Sequence, residues 1–342
     1  MKKEYFLIIL MLGIFSCKKE ITNNRQQADV DVYVAGNESN GSVYVAKYWK
    51  NGQAVSLTDG TKQAWANSIA VVGSDVYVAG IESNGSFDIA KYWKNGQPVS
   101  LTNRPSHASS IAVVGSDVYV AGDEYNGSHY VAKFWKNGQA IALTDGTHEA
   151  EAVSIFVVNS DVYVAGSEYT NGSFNAARYW KNGQAITLTN GTNYSFATSI
   201  SVVGNDIYTT GTEWLWYPQV ATYWKNGQTI KLTDSTKTAI ASFVAVAGND
   251  VYVAGTENDV AKCWKNGKAI TLKYGTKETT QNNSYASSIA IAGNDVYIAG
   301  AGGEAFGGST VHVAKYWKNG QDIALTDGTK EAGANSIVVV KR

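Results

Sequence analysis

Two sets of side chains in this sequence have the types that catalysis and metal binding need. A glutamate recurs at Glu38, Glu82, Glu124, Glu168, Glu213 and Glu257, with Glu304 displaced by an insertion. Paired carboxylates at a suitable separation hydrolyse glycosides. These, however, belong to a frame copied along the chain, whereas a catalytic pair should stand apart from a repeat. The expected role is therefore a hydrogen bond to loop backbone in every unit. Histidines 107, 129 and 148 are the second set. They could meet at a metal, but no close ligand spacing supports one, and loop histidines are ordinarily solvated. No metal site, catalytic residue or cofactor is assigned. No phosphate-cradling glycine motif, nucleophile elbow or calcium loop is present.

The frame that positions these residues is a repeat. The phrase Ala-Lys-Tyr-Trp-Lys-Asn-Gly-Gln, in its commonest form, places tryptophans at 49, 93, 135, 180, 224, 264 and 317, at intervals of 40 to 53 residues. A second phrase, Asp-Val-Tyr-Val-Ala-Gly, keeps time through tyrosines 33, 77, 119, 163, 208, 252 and 297. Such a period with several strands per unit means a propeller or an array. In one unit, Ser68–Val72 reads as a strand, Gly73-Ser74 as a tight turn and Asp75–Ala79 as a second strand closed by Gly80. Phe87–Lys94 reads as a third strand and Gln97–Thr102 as a fourth, joined by Asn95-Gly96, the strongest short hairpin signal. Apolar residues occupy both parities of these strands, as in sheets covered on both faces. Each repeated tryptophan is expected to fill an inter-blade space.

The termini are complementary. The first unit begins at Asp31 without its own Ser-Ile-x-Val-Val strand, and the chain ends on Ser336–Val340, which is that strand alone. The two fragments sum to one blade. The fold class is all-β: a seven-bladed β-propeller of four-stranded antiparallel blades over residues 29–342, with residues 336–340 joining residues 31–59. An open solenoid would instead carry capping repeats. The order Val-Val-Gly-Ser-Asp-Val-Tyr-Val-Ala-Gly, loop, Ala-Lys-Tyr-Trp-Lys-Asn-Gly is similar to that of kelch-type blades, with Ala-Gly in place of the kelch glycine pair. The whole unit, over residues 29–340, resembles repeats of bacterial lipoproteins bearing Tyr-Trp-Lys-Asn-Gly. The resemblance implies a fold and no particular activity.

Residues 1–16 read as a targeting segment: Lys2 and Lys3 precede a short apolar core, Tyr5–Phe15, too short to span a bilayer. Ile14-Phe15-Ser16-Cys17 resembles a bacterial lipobox, which implies cleavage before Cys17 and its lipidation. An ordinary secretory signal with a chance cysteine is the alternative. Residues 17–28 then form a polar tether. Lys18 after Cys17 is expected to favour the outer membrane. Cys263 replaces a repeat tyrosine and is expected in a buried strand, which leaves no disulfide framework. With 28 basic and 29 acidic residues and no basic stretch, nucleic acid is not an expected partner. A monomer is expected.

Function is sought where the repeats disagree. The tight turns fall at one end of each blade and the longer loops at the other, and variable loops on a rigid scaffold are the usual place for binding. One position just before each inner strand reads Trp65, His107, Glu151, Phe196, Ile240, Tyr285 and Gly333. These are expected to ring the mouth of the central channel. Drift at an exposed position is the bland alternative. The long loops add Tyr125, His129, Tyr169, Trp214, Trp216, Tyr217 and Phe306. The Trp214–Pro218 loop either forms a partner surface or folds onto blade 5. The reading is a lipid-anchored, non-catalytic binding or interaction module of the cell envelope, with a glycan or peptide on the long-loop face. The alternatives are a polysaccharide-active hydrolase or lyase on that face, or a purely structural envelope protein.

Overall fold

The computed structural model describes residues 30–169, 174–214, 218–272, 283–306 and 309–342. Seven four-stranded sheets follow one another, each antiparallel. Blade 2 is Ala64–Val72, Asp75–Ser83, Asp88–Lys94 and Gln97–Ser100, paired in that order. Blade 1 takes Val30–Ser39, Tyr44–Lys50 and Gln53–Ser56 from the start of the described chain and Ala332–Lys341 from its end. The pairing aligns Val34 with Ile337 and Tyr33 with Val338, so the ring closes as the complementary fragments require.

Each inter-blade interface is one buried cluster. Trp93 of blade 2 packs with Tyr33, Ala35 and Ala46 of blade 1. Trp135, Trp180, Trp224, Trp264, Trp317 and Trp49 repeat this against the preceding blade. All seven are at most 1% exposed, so burying this indole at each joint is what the phrase conserves from blade to blade. Cys263 is equally buried, and desolvation pushes its thiol up to about 12, which leaves it unreactive.

Around the axis, the Ile111 amide donates to Ser68 Oγ of the preceding blade at 3.2 Å, and Ile69, Ile155, Ile200, Val244 and Ile337 bond likewise. Phe243 stands at the serine's place in blade 6. About 220 Å³ of space on the axis is lined by small hydroxyl and amide residues such as Asn67, Ser110, Ser154 and Thr198, together with Val153 and Phe243.

The two repeated phrases lock each other at the tight-turn end. In blade 2, Asn95 sits at φ 51° before Gly96, as an Asn-Gly hairpin requires. Its side chain accepts from the Val76 amide at 2.9 Å and donates to Asp75 at 2.8 Å. Lys94 pairs with Asp75 at 3.0 Å and lies 5.1 Å from the Tyr77 ring centre. The same arrangement holds the equivalent aspartates, among them Asp31, Asp117, Asp161 and Asp206, below the usual carboxylate range through bonds from lysine and asparagine. Asp31, bonded by Asn51 and Arg342, falls to about 2. A carboxyl lowered on folding stabilises fully above its unfolded value, near 3.9, and loses that stabilisation as pH falls through the folded value. The contribution of these carboxyls to the melting temperature should therefore be level from about pH 7 to 5 and fall below about pH 4. A thermal melt unchanged down to pH 2 would contradict this role.

Two expectations need correction. Gly80 does not end the second strand, which runs on to Ser83, and the inner strand begins at Ala64 rather than Ser68. A bulge between Ala66 and Ser68 absorbs the extra residue, and Gly80 faces it because a side chain there would lie 1.9 Å from the Trp65 carbonyl oxygen. Four of the repeated glutamates reach across the sheet instead of serving loop backbone. Glu124 pairs with Lys133 and Glu168 with Arg178, both at 2.7 Å and both across to the third strand. Lys47 and Lys91 hold Glu38 and Glu82 in the same way. Three Asn-Gly-Ser triplets are turns: Asn40, Asn84 and Asn126 each accept from the amide of the serine two residues on.

Candidate functional site

Because the strands continue past the bulge, the variable positions lie on strands rather than before them. Strand register then gives each a cross-strand neighbour: Trp65 faces Ile81, His107 faces Asp123, Glu151 faces Ser167, Phe196 faces Thr212, and Tyr285 faces Ala301. Ile240 takes the equivalent place opposite Thr256.

Blades 3 and 4 enclose a cleft between them on the long-loop face. Blade 3 comprises Ser106–Val114, Asp117–Tyr125, Tyr130–Lys136 and Gln139–Ala142, and blade 4 Ala150–Val158, Asp161–Tyr169, Asn175–Lys181 and Gln184–Thr187. The cleft holds about 170 Å³, bounded by His107, Asp123, Tyr130, Glu149, Glu151 and Asn175, with Ser167 and Tyr169 beside them. His107 Nδ1 meets Asp123 Oδ1 at 2.7 Å, and that hydrogen bond raises the proton affinity of the imidazole. Burial pushes the Glu151 carboxyl up, opposed by the Ser167 hydroxyl that donates to it at 2.9 Å. Asp123 and Glu149 add to the upward shift through like charge. Glu149 accepts from the Tyr130 amide at 3.3 Å. Gln63 and Glu331, at the same place before blades 2 and 1, accept from the amides of Tyr44 and His312, so this residue also ties neighbouring blades.

An aromatic shelf adjoins the cleft. Phe174, Asn193, Tyr194 and Trp214 bound a second hollow of about 180 Å³. Tyr194 stands 4.9 Å from Phe174 and 6.2 Å from Trp214, and Phe196 stands 6.3 Å from Trp214. Tyr169 of the cleft touches Tyr194 of the shelf edge-on at 6.5 Å, at the boundary between the two hollows. At the other rim, Tyr125 lies 5.4 Å from Tyr130, which lies 5.1 Å from His107. Trp214 is 42% exposed, unlike any repeated tryptophan.

Of the residues singled out by sequence, His107 and Glu151 share the cleft, Tyr125 reaches it through Tyr130, and Phe196 and Trp214 share the shelf. His129 stands 3.7 Å from Glu149 at the rim. His148 bonds Thr147 instead, and among the described residues no trio of His, Cys, Asp or Glu is placed to hold a metal. Trp65 and Tyr285 belong elsewhere on the ring. Trp65 meets Tyr44 at 5.8 Å; Tyr285 meets His312 at 6.0 Å, and burial pushes its hydroxyl up to about 12. His312 is bonded to Glu331 at 2.6 Å. Cys17, Trp216, Tyr217 and the side chain of Phe306 lie outside the described residues. Sequence reasoning missed Asp123, Glu149, Asn175, Tyr130 and Tyr194. The residue after each repeated glycine varies as the inner-strand position does, and comparing repeats there would have found Asp123.

Fold and face together define a seven-bladed β-propeller with an acidic cleft and an aromatic shelf on its long-loop end. No protein-family model matches the chain, and no curated protein matches it. Among solved structures it is similar to a puromycin-hydrolysing peptidase of Mycobacterium tuberculosis, with TM-score 0.56 and 10% identity over 88% of this chain and 51% of the peptidase. The chain thus spans about half the length of that enzyme. It is also similar to the polysaccharide lyase Uly1, with TM-score 0.50 and 11% identity over 86% of this chain and 88% of the lyase. At such identities the likeness concerns the fold alone.

Proposed function

We propose that this protein is a binding module whose ligand, a glycan or peptide, lies across the long-loop face of blades 3 to 5. The supporting observation is the coincidence of divergence and geometry. Four of the residues at which the repeats depart from their common sequence, His107, Glu151, Phe196 and Trp214, fall at one cleft and the aromatic shelf beside it, whereas Trp65 and Tyr285 stand apart. Aromatic faces bury apolar surface while carboxylates and amides take hydrogen bonds, a combination suited to sugars and side chains alike. The acidic lining disfavours an anionic polysaccharide, whose carboxylates would meet Asp123, Glu149 and Glu151. Lipidation of Cys17 would hold the module at the cell envelope, with the outer membrane as the expected site.

Trp214→Ala should weaken ligand binding about tenfold, the equivalent of one stacking contact, and shift the melting temperature little because the ring is exposed. Screening wild type and variant against envelope glycans and a peptide array reads this directly. Unchanged binding by every captured ligand would remove the shelf from the site. Turnover of a polysaccharide that vanishes in Glu151→Gln would make the face an active site instead. In the same cells, Cys17→Ser should move the protein out of the membrane fraction; retention there would exclude the lipid anchor.

A further inference from the structure

Resting on the binding reading of this face, we propose that the cleft between blades 3 and 4 receives a lysine or arginine side chain of a basic peptide. The lining is an excess of acceptors. Asp123, Glu149 and Glu151 contribute three carboxyl groups, and no lysine or arginine is among the residues that bound the cleft. His107 alone offsets them, through its bond to Asp123. Asn175 is an independent sign. It is 8% exposed, it lines the cleft, and its amide oxygen has no hydrogen-bond partner among the described residues. A buried acceptor without a donor is unfavourable until a ligand supplies one. An ammonium or guanidinium supplies several donors with the charge that the carboxylates call for.

The shape fits a side chain better than a run of sugar rings. The acceptors Asp123 and Asn175 are 7% and 8% exposed, whereas Tyr130 and Tyr169, which also line the cleft, are only half-buried. A thin apolar stem between tyrosines with a charged tip below is the form of a lysine or arginine, and aromatic faces attract the cation as it enters. The Tyr169–Tyr194 contact divides the cleft from the shelf, so the face offers two side-chain-sized hollows rather than one continuous trough. An extended peptide places successive same-side residues into such hollows, a basic one in the cleft and an aromatic one against Tyr194 and Trp214.

The test is calorimetric titration of the full-length protein with acetyl-Gly-Lys-Gly-Phe-Gly-amide, with its Nε-acetyllysine counterpart and with a glucosamine tetrasaccharide. The lysine peptide should bind at least about tenfold more tightly than the acetylated one, as expected for loss of a charge-assisted contact. Asp123→Asn should remove that difference. Glu149→Gln, which keeps an acceptor for Tyr130 on an exposed side chain, should reduce it where Asp123→Asn disturbs folding. Equal binding of the two peptides, or tighter binding of the tetrasaccharide, overturns the basic-peptide assignment. The binding face itself still stands in those cases if Trp214→Ala weakens the ligand that does bind. No binding by any of the three probes also overturns the assignment, and the face is then judged by the glycan and peptide screens alone.

Discussion

Removal of residues 336–340 should lower the melting temperature by about 10 °C or more, or prevent folding altogether. These residues are the middle of the strand that joins the two ends of the chain at the seam of the ring. Ile337 is buried at 5% exposure, and its amide donates to Ser288 Oγ of blade 7 at 3.3 Å. Ser336 Oγ accepts from the Ile69 amide of blade 2 at 3.3 Å. Val338 and Val340 pack on the blade 1–2 cluster and Val339 on the blade 7–1 cluster. Deletion therefore opens two interfaces at once and leaves Asp31–Ala35 of the first strand with an unpaired edge, a template for aggregation. Loss of the Ile337 side chain alone should cost about 2–5 kcal/mol. Scanning calorimetry checks the result, and a melt equal to wild type would show that the ring does not depend on its closing strand.

Gly122→Ala should destabilise the protein by about 3 kcal/mol or more and abolish ligand binding at the cleft together. The added Cβ would lie 1.9 Å from the His107 carbonyl oxygen and 3.2 Å from the Ala108 Cα, distances that only a backbone movement can relieve. The atoms that must move carry His107, and the strand that pushes them carries Asp123, which faces it. Gly85→Ala is the control. It has φ +101° but nothing within 4 Å of a new Cβ, so it should cost only the backbone strain, about 1–2 kcal/mol, and it lies away from the cleft. Denaturant melts of the two variants separate the effects. Equal stabilities would mean that the bulge accommodates a side chain and that glycine serves some other purpose there.

The same glycine marks where a reading from residues alone goes astray. A glycine after Asp-Val-Tyr-Val-Ala can close a strand or face a bulge, and both produce the same letters. The choice depends on the carbonyl of Trp65 or its counterparts across the sheet, which no local pattern records. The repeated glutamates were similarly ambiguous. A carboxylate beside a loop can bond backbone, but the register sets Glu124 near Lys133, and a charged donor makes the stronger bond. His107 and Glu151 stood out because packing does not dictate their position in the repeat. Asp123 and Asn175 did not, because their meaning comes from the strands that face them.

By itself the sequence determined the ring: seven buried tryptophans, the hairpin turns between strands, and two end fragments that complete one blade. Those features are local or periodic, and burial on both faces of each sheet leaves a signature in residue type. What only the tertiary structure decided is which divergent residues meet. His107, Asp123, Glu151 and Asn175 come from four strands of two blades, and Tyr194 and Trp214 from the approach to blade 5 and its second strand. Their convergence depends on register, on a bulge in each inner strand and on the packing of blade against blade. These long-range distances are set by the whole ring, and residue type and spacing do not encode them one by one.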